Sequence, residues 1–467
     1  MNNFQIDQGS FRDRHGRIFY LNEEVYRGIS KEAFSEWENF SSKPFYASMV
    51  SAGKLVKTEK IDDFADLKIP GNWEAVLKHQ KIPFISYPYE WSFGMLKDAA
   101  LLQLELLLRG LKEDIILKDS SAFNVQWVGT NPIFIDIPSF QKLAPGEPWV
   151  GYKQFCQMFL YPLMIKAYKD IPFHPFLRGS IDGIDSEHCN NLMSSRDLFR
   201  SGVFLYVYLQ SKFQKKYSDT KRVAKKELKS AGFNKEMIRA NIKRLQNLTA
   251  KLQWKKLGSE WGDYAEDNSY PEEDQRIKQN FVRDCVKTKS WKLVWDLGCN
   301  TGTFSRIAAE NSEYVLAMDL DHLAVEKFYQ ELKREGNKTI LPLVNNLADP
   351  SPNLGWRGME RKALPERGKP DLTLCLALIH HMVISANIPM SDFINWLASL
   401  GSSLIIEFVT KDDEMVKTLL RNKEDIYTDY ELGPFESLLS NHFNIEKRLE
   451  VKSGTRILYY ASNKGKI

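Results

Sequence analysis

The chain has 467 residues, 43% of them hydrophobic and 27% charged, with a formal net charge of +4. That length exceeds one ordinary core, so two or three domains are expected, and the balance is that of a globular chain rather than a disordered one. The cysteines (156, 189, 285, 299 and 375) are odd in number, scattered and without a C-x-x-C pair, which argues against a disulfide framework and a zinc site. No metal is expected. Met1 to Ser10 has neither a basic n-region nor an apolar h-region, and no apolar run in the chain approaches the roughly 18 residues of a membrane-spanning helix. A cytoplasmic protein with no membrane span is the expectation.

In chain order, Gly16 to Leu21 and Glu24 to Arg27 predict a small hairpin, followed by a helix near Lys31–Asn39. Ile82 to Trp91 carries Pro83 and Pro88 and should be extended. Met95 to Glu113 is apolar on almost every face, which predicts a buried helix. Then come a loop from Leu117 to Asn124, a strand to Val128, a Gly-Thr-Asn-Pro turn, a strand ending at Asp136, and a helical stretch from Trp149 to Asp170. Asp119 and Asn124, with Asp136 at the end of the next hairpin, resemble the catalytic loop and metal-binding aspartate of protein-kinase-like phosphotransferases. The resemblance implies an α+β domain over residues 1–211 in which Asp119 orients an accepting hydroxyl while Asn124 and Asp136 hold magnesium. The sequence departs from that pattern. Leu117-Lys118 stands in place of His-Arg, Ile-Pro-Ser follows Asp136 in place of Phe-Gly, and no glycine-rich loop or Val-Ala-Ile-Lys lysine lies upstream. A degenerate kinase-like domain is therefore expected over active phosphotransfer.

Residues 212–279 read as a basic helical connector and lid. Between Lys212 and Lys256 there are 15 lysines and arginines against three acids. Apolar residues at Val223, Leu228, Phe233, Met237, Ile238, Ile242, Leu245, Leu248 and Leu252 have helical spacing, with the basic residues facing outward. This is either the solvated face of a two-helix linker or a surface for an anionic partner such as RNA, acidic lipid or a phosphorylated substrate. Further on, Tyr264 and Tyr270 are candidate cofactor-lid aromatics or plain packing residues.

Residues 280–467 alternate apolar runs with helical segments. Strands are predicted over Leu293–Leu297, Tyr314–Leu320, Ile340–Asn346, Leu372–Leu378, Ser403–Val409, Phe443–Glu450 and Thr455–Ala461. That is an α/β, doubly wound sheet of seven strands. The short turn Val451-Lys-Ser-Gly454 permits only an antiparallel hairpin, so the last strand runs against its neighbours. In Asp296-Leu-Gly-Cys-Asn-Thr-Gly302, glycines 298 and 302 sit where a ligand would approach the backbone. Asp319 ends the second strand, where a ribose would be hydrogen-bonded.

The D-x-G-x-x-x-G spacing, the second acid and the antiparallel tail resemble class I S-adenosylmethionine (SAM) methyltransferases, which have a Rossmann-like domain. The resemblance implies SAM as cofactor. It implies Asp296 at the methionyl ammonium, the backbone of Gly298, Asn300 and Gly302 beside the methionine, Asp319 at the ribose, and Asn346 at the adenine amine. After the fourth strand, Ala377-Leu-Ile-His-His-Met382 stands where nitrogen-methylating enzymes have Asn-Pro-Pro-Tyr or Asp-Pro-Pro-Tyr. His380 or His381 is a candidate general base there, or a pocket-lining residue. Glu407, ending the fifth strand, is a candidate to orient a histidine or contact substrate. The blocks Phe84–Ser92, Leu117–Asn124, Phe134–Asp136, Asp296–Gly302 and Leu378–His381 together resemble bacterial class I methyltransferases related to the nodulation protein NoeA. The expected function is SAM-dependent methyl transfer to an oxygen or nitrogen of an unidentified acceptor. A bifunctional kinase-like and methyltransferase enzyme, and a non-catalytic RNA- or partner-binding protein, are the alternatives.

Overall fold

The structure, a computed structural model, describes residues 4–64, 67, 69–144, 146–217, 234–254, 272–421 and 424–465. The chain divides into two units. The first is Met1–Lys256 together with Asn353–Arg361, and the second is Leu257–Pro352 with Lys362–Ile467.

In the first unit, strands β1 (Phe4–Ile6), β2 (Gly16–Leu21), β3 (Glu24–Ile29), β4 (Thr58–Ile61) and β5 (Ala75–His79) form an antiparallel sheet in the order β1-β2-β3-β5-β4. The β2–β3 hairpin closes through Asn22 and Glu23, both at positive φ. That geometry matches the right-handed twist of the flanking strands. Phe19, Leu21, Tyr26 and Val76 pack beneath the sheet. The helix Phe93–Gly110 is N-capped by Ser92 and buried on most sides, as its apolar sequence requires. It is followed by β6 (Ile115–Leu117), then the hairpin of β7 (Val125–Val128) and β8 (Asn131–Phe134), then β9 (Phe140–Lys142), which pairs back on β6. A helical run from Tyr152 to Lys169 contains one widened turn, Cys156–Leu160.

The predicted connector is only in part a connector. Residues 218–233 and 255–271, with Tyr264 and Tyr270 among them, lie outside the described residues. The helix Lys235–Lys251, however, is part of the first unit's core. Asn234 caps it, and Ile238, Ile242, Leu245 and Leu248 are buried on one face. It packs on Phe93–Gly110, and Lys97 Nζ donates to the Leu252 carbonyl just beyond its end at 2.8 Å. The periodicity was therefore that of a core helix, and its basic residues are the solvated side.

The second unit is built on β10 (Trp291–Leu297), β11 (Ser312–Asp319), β12 (Ile340–Val344), β13 (Leu372–Cys375), β14 (Ser403–Val409), β15 (Phe443–Glu450) and β16 (Arg456–Asn463). They form one seven-stranded sheet in the order β12-β11-β10-β13-β14-β16-β15. The first five run parallel, and β16 is antiparallel to both β14 and β15. The parallel strands read as unbroken apolar runs because both faces are covered, whereas edge strand β15 carries Glu446, Lys447, Arg448 and Glu450 to solvent. Three predicted strands are shorter than expected at their carboxyl ends, stopping at Asp319, Val344 and Cys375. Past Cys375 the chain turns at Ala377, whose φ is 51°.

The predicted single domain over residues 280–467 also has an exception. Asn353–Arg361, between β12 and β13, belongs to the first unit. All five cysteines are buried and free. Among the described residues no helix is long and apolar enough to cross a membrane.

Ile242 is fully buried in the Lys235–Lys251 helix. We expect Ile242→Ala to destabilise the first unit by roughly 2–5 kcal/mol in denaturant unfolding, as core truncations do. A change below about 0.5 kcal/mol, the scale of surface substitutions, would return this helix to the role of a linker.

Candidate functional site

The chain runs outward from β10 through β11 to β12 and then returns to β13 on the other side of β10. That reversal opens a crevice at the carboxyl ends of β10 and β13, where open α/β sheets take their ligands. The residues singled out in the second unit's sequence fall on the strand ends and loops along this edge.

Asp296 lies near the end of β10, 2% exposed, and accepts from Ser305 Oγ at 2.5 Å. Burial pushes its carboxyl up to about 6, with the Ser305 hydrogen bond opposing and the charge of Asp319 adding to the rise. Asp319 closes β11. One oxygen accepts the Asn300 N–H and the other the Asp321 N–H, both at 2.8 Å, and burial raises its pKa as well. An ionised carboxylate has about four acceptor positions, so Asp319 ties the glycine loop to the end of β11 and keeps capacity for further donors.

The loop itself needs its glycines for two reasons. Gly298, Asn300 and Gly302 all have positive φ, at 76°, 48° and 86°. A Cβ at Gly302 would also overlap the Phe328 ring of helix His322–Arg334. At Gly302 the backbone is thus pressed close to the protein's own core. At Gly298 a Cβ would only touch Leu378, at 3.4 Å.

Four buried polar atoms along this edge have no hydrogen-bond partner among the described residues: Asn300 Oδ1, Asp321 Oδ2, Asn345 Oδ1 and His380 Nδ1. They follow β10, β11, β12 and β13 in turn, so they lie on loops at the same edge of the sheet. Asn345 was missed in the sequence. β12 stops at Val344, and Asn345 is 6% exposed with its N–H given to the Asp319 carbonyl at 2.8 Å. The expected residue, Asn346, is exposed, and its side-chain oxygen accepts the Ala348 N–H at 3.0 Å in a local turn. β12 ends two residues short of the predicted strand, so the buried amide at this strand end is Asn345 and not Asn346.

His380 and His381 stand together with ring centroids 4.2 Å apart. His380 is 1% exposed, and burial holds its pKa well below the imidazole range, with the charges of His381 and Lys278 adding to the effect. His381 is half-buried, and burial lowers it to about 4. Both rings are neutral at pH 7, so the near-neutral titration expected from the residue type is absent.

Glu407 lies on β14. It is fully buried and pairs with Lys278 Nζ at 2.5 Å, with Arg456 3.7 Å away. It also accepts the Ala377 N–H at 2.7 Å, which braces the turn leading to His380 and His381. Lys278 was missed in the sequence. It sits on helix Glu272–Val286, and its signal was a lysine at helical spacing with Phe281, Val282 and Cys285 on the apolar face. The same face carries buried Asp274, which accepts the N–H groups of Lys452 and Ser453 and so holds the β15–β16 turn.

In the first unit, Asp119 accepts the Ser121 N–H at 2.9 Å, has hydrogen bonds to Gln154 and Asn124, and has a pKa raised by burial. Asn124 reaches Ser139 Oγ at 3.5 Å. Asp136 takes Arg27 of β3 at 2.9 Å and the Ser139 hydroxyl. Arg27, in Val25-Tyr-Arg-Gly28, belongs to no recognisable sequence motif.

Glu407→Gln would leave the Lys278 ammonium buried without its counter-charge. We expect a loss of about 3–5 kcal/mol in denaturant unfolding, the cost of breaking a buried pair from one side. Lys278→Met added to that variant should recover most of it. Equal losses in the single and double variants would show that the two residues are not coupled.

No protein-family model matches the chain. Among solved structures, it is similar to the N-methyltransferase NodS of Bradyrhizobium japonicum WM9 in complex with S-adenosyl-L-homocysteine, at 12% identity and TM-score 0.30, over 42% of this chain and 90% of that one. It is also similar to magnesium protoporphyrin IX methyltransferase of Synechocystis PCC 6803, at 21% identity and TM-score 0.29, over 42% of this chain and 90% of that one. Among curated proteins it is similar to nodulation protein NoeA of Rhizobium meliloti (strain 1021), 33% identical over 454 residues, 97% of this chain and 94% of that protein. With that identity over nearly the whole length of both, the chain belongs to the family of nodulation protein NoeA.

Proposed function

We propose that the second unit binds SAM in the crevice between β10 and β13 and transfers its methyl group to an oxygen or nitrogen nucleophile of an acceptor molecule. The observation that carries this reading is the lining of that crevice. Two desolvated carboxylates, Asp296 and Asp319, stand beside buried acceptors without donors on Asn300, Asp321 and Asn345. Such a lining calls for a ligand rich in hydrogen-bond donors and positively charged. SAM brings an ammonium, two ribose hydroxyls and an adenine amine. The sheet order supports the same reading, since an antiparallel β16 between β14 and β15 distinguishes class I methyltransferases from dinucleotide-binding sheets.

In this reading Asp296 takes the methionyl ammonium, and the backbone from Gly298 through Asn300 to Gly302 lines the methionine. Asp319 uses its remaining acceptor positions for the ribose hydroxyls. Asn345 rather than Asn346 takes the adenine amine through its side-chain oxygen. When bound, SAM supplies a sulfonium methyl to the nucleophile. The chain's own residues align the reactants and exclude water. His381, half-buried and neutral at pH 7, accepts the nucleophile's proton where one must leave, while His380 lines the pocket. Lys278 and Glu407 act through the Ala377 turn as positioning residues.

The first unit is read as the part that presents the acceptor, on a degenerate kinase-like plan. Active phosphotransfer is disfavoured because Asp136, the carboxylate that would hold magnesium, is already paired with Arg27 and Ser139.

The pH dependence follows from Asp296. Its carboxyl is pushed up to about 6, so the charge that the ammonium needs is present above that pH and is lost below it. We expect SAM affinity, measured by calorimetry, to be level at neutral pH and to fall by about tenfold per unit on the acid side. Asp296→Asn should bind weakly at every pH without that slope, and Asp319→Ala should show no measurable binding. Wild-type affinity in Asp319→Ala would rule out the assignment.

A further inference from the structure

Between β12 and β13 the chain leaves the second unit, contributes Asn353–Arg361 to the first, and returns. The excursion is a tight hairpin held by an antiparallel bridge between Leu354 and Arg361, whose backbone N–H and C=O groups are exchanged at 2.9 and 3.1 Å. Gly355 has a φ of 83°, and a Cβ there would collide with the Glu360 side chain. The backbone at Arg361 is thus fixed by pairing, and this short segment is organised around its last two residues.

Those two residues are treated differently. Glu360 is engaged through one oxygen, its Oε1 accepting from Arg12 at 2.7 and 3.0 Å and from the Trp356 N–H at 2.9 Å, and its charge also acts on Arg361. Arg361 is 7% exposed, and its Nε and Nη1 are buried with no hydrogen-bond partner among the described residues. Its guanidinium lies over the ring of Phe123, 5.3 Å from the centroid, and Phe123 packs edge-on to Tyr87 at 6.1 Å. Stacking of this kind stabilises the cation and fixes its plane, but satisfies none of its N–H groups, which point outward in that plane.

Phe123 belongs to the loop Asp119–Asn124, yet that loop's acid does not complete Arg361. Asp119 accepts from Ser121 and has bonds to Gln154 and Asn124, and Asp136, at the end of the following hairpin, is taken by Arg27 and Ser139. A buried guanidinium with unused donors, held against an aromatic face, is suited to an oxyanion that brings acceptor oxygens.

We propose that Arg361 anchors an oxyanion-binding site in the first unit, on the aromatic wall of Phe123 and Tyr87, for a ligand carrying a phosphate or carboxylate group. The site stands by itself. Only the further step of equating that ligand with the methyl acceptor rests on the methyltransferase reading.

The test is calorimetric titration of the full chain at fixed ionic strength with two probes, inorganic pyrophosphate for a phosphate group and malonate for a carboxylate. Saturable binding of at least one probe is expected, and which one it is identifies the group. Arg361→Gln should weaken it by at least about tenfold, the scale of a lost charge-assisted pair. Arg361→Lys, which keeps the charge and the excursion's fold but not the planar fork, should weaken it as well. SAM affinity and thermal unfolding, measured in parallel, should stay at wild-type values, so a misfolded variant is recognised and failure here is separated from failure of the cofactor assignment. No saturable binding of either probe below about 10 mM, an affinity too weak for a built site, would overturn the proposal. So would wild-type probe affinity in a folded Arg361→Gln or Arg361→Lys variant.

Discussion

Two buried carboxylates at the ends of adjacent parallel strands set the problem that the rest of the second unit solves. Asp296 and Asp319 are both desolvated, and the charge of Asp319 raises the pKa of Asp296. Like charges in a poorly solvated crevice persist only if donors or cations are arranged around them. The fold supplies part of that set: the Ser305 hydroxyl to Asp296, and the backbone amides of Asn300 and Asp321 to Asp319. The glycine loop is the means of delivery, since it aims the Asn300 N–H at Asp319 only with the backbone at positive φ from Gly298 to Gly302. What the described residues leave unsupplied is a set of donors to Asn300, Asp321 and Asn345. That remainder gives the crevice its proposed chemistry.

A second buried charge pair holds the opposite wall. Lys278 reaches from helix Glu272–Val286 to Glu407 on β14, and Glu407 in turn fixes the Ala377 turn. The ammonium of Lys278 also bears on Asp296 and His380, lowering the pKa of each. One lysine thus links the helix that enters the second unit, the end of β14 and the histidine-bearing loop. The neutral histidines follow from the same desolvation that raises the carboxylates, because burial disfavours whichever form is charged.

Much of this was legible in the sequence because it rests on local rules. Apolar runs gave the seven strands, Val451–Gly454 the antiparallel tail, and Asp296–Gly302 with Asp319 the crevice and two of its acids. Strand ends were less legible. β12 and β13 stop at Val344 and Cys375 because of the turn chemistry that follows, which displaced the inward amide from Asn346 to Asn345. Long-range placement was hidden altogether. Nothing local shows that Lys278 meets Glu407, that Lys235–Lys251 packs on a helix more than a hundred residues earlier in the chain, or that Asn353–Arg361 crosses to the first unit. Lys278 and Ile242 did leave a trace, as residues on the apolar face of an amphipathic helix. Arg361 left none, since a lone arginine in a glycine-containing loop reads as surface.

The most direct test of the central claim, that the crevice between β10 and β13 is a SAM site, is photochemical crosslinking of methyl-labelled SAM to the full chain, followed by peptide mapping. Label is expected on peptides spanning residues 296–302, 345–346 or 377–382, and unlabelled SAM should compete it away. Label confined to other peptides, or the absence of any competable label, would contradict it.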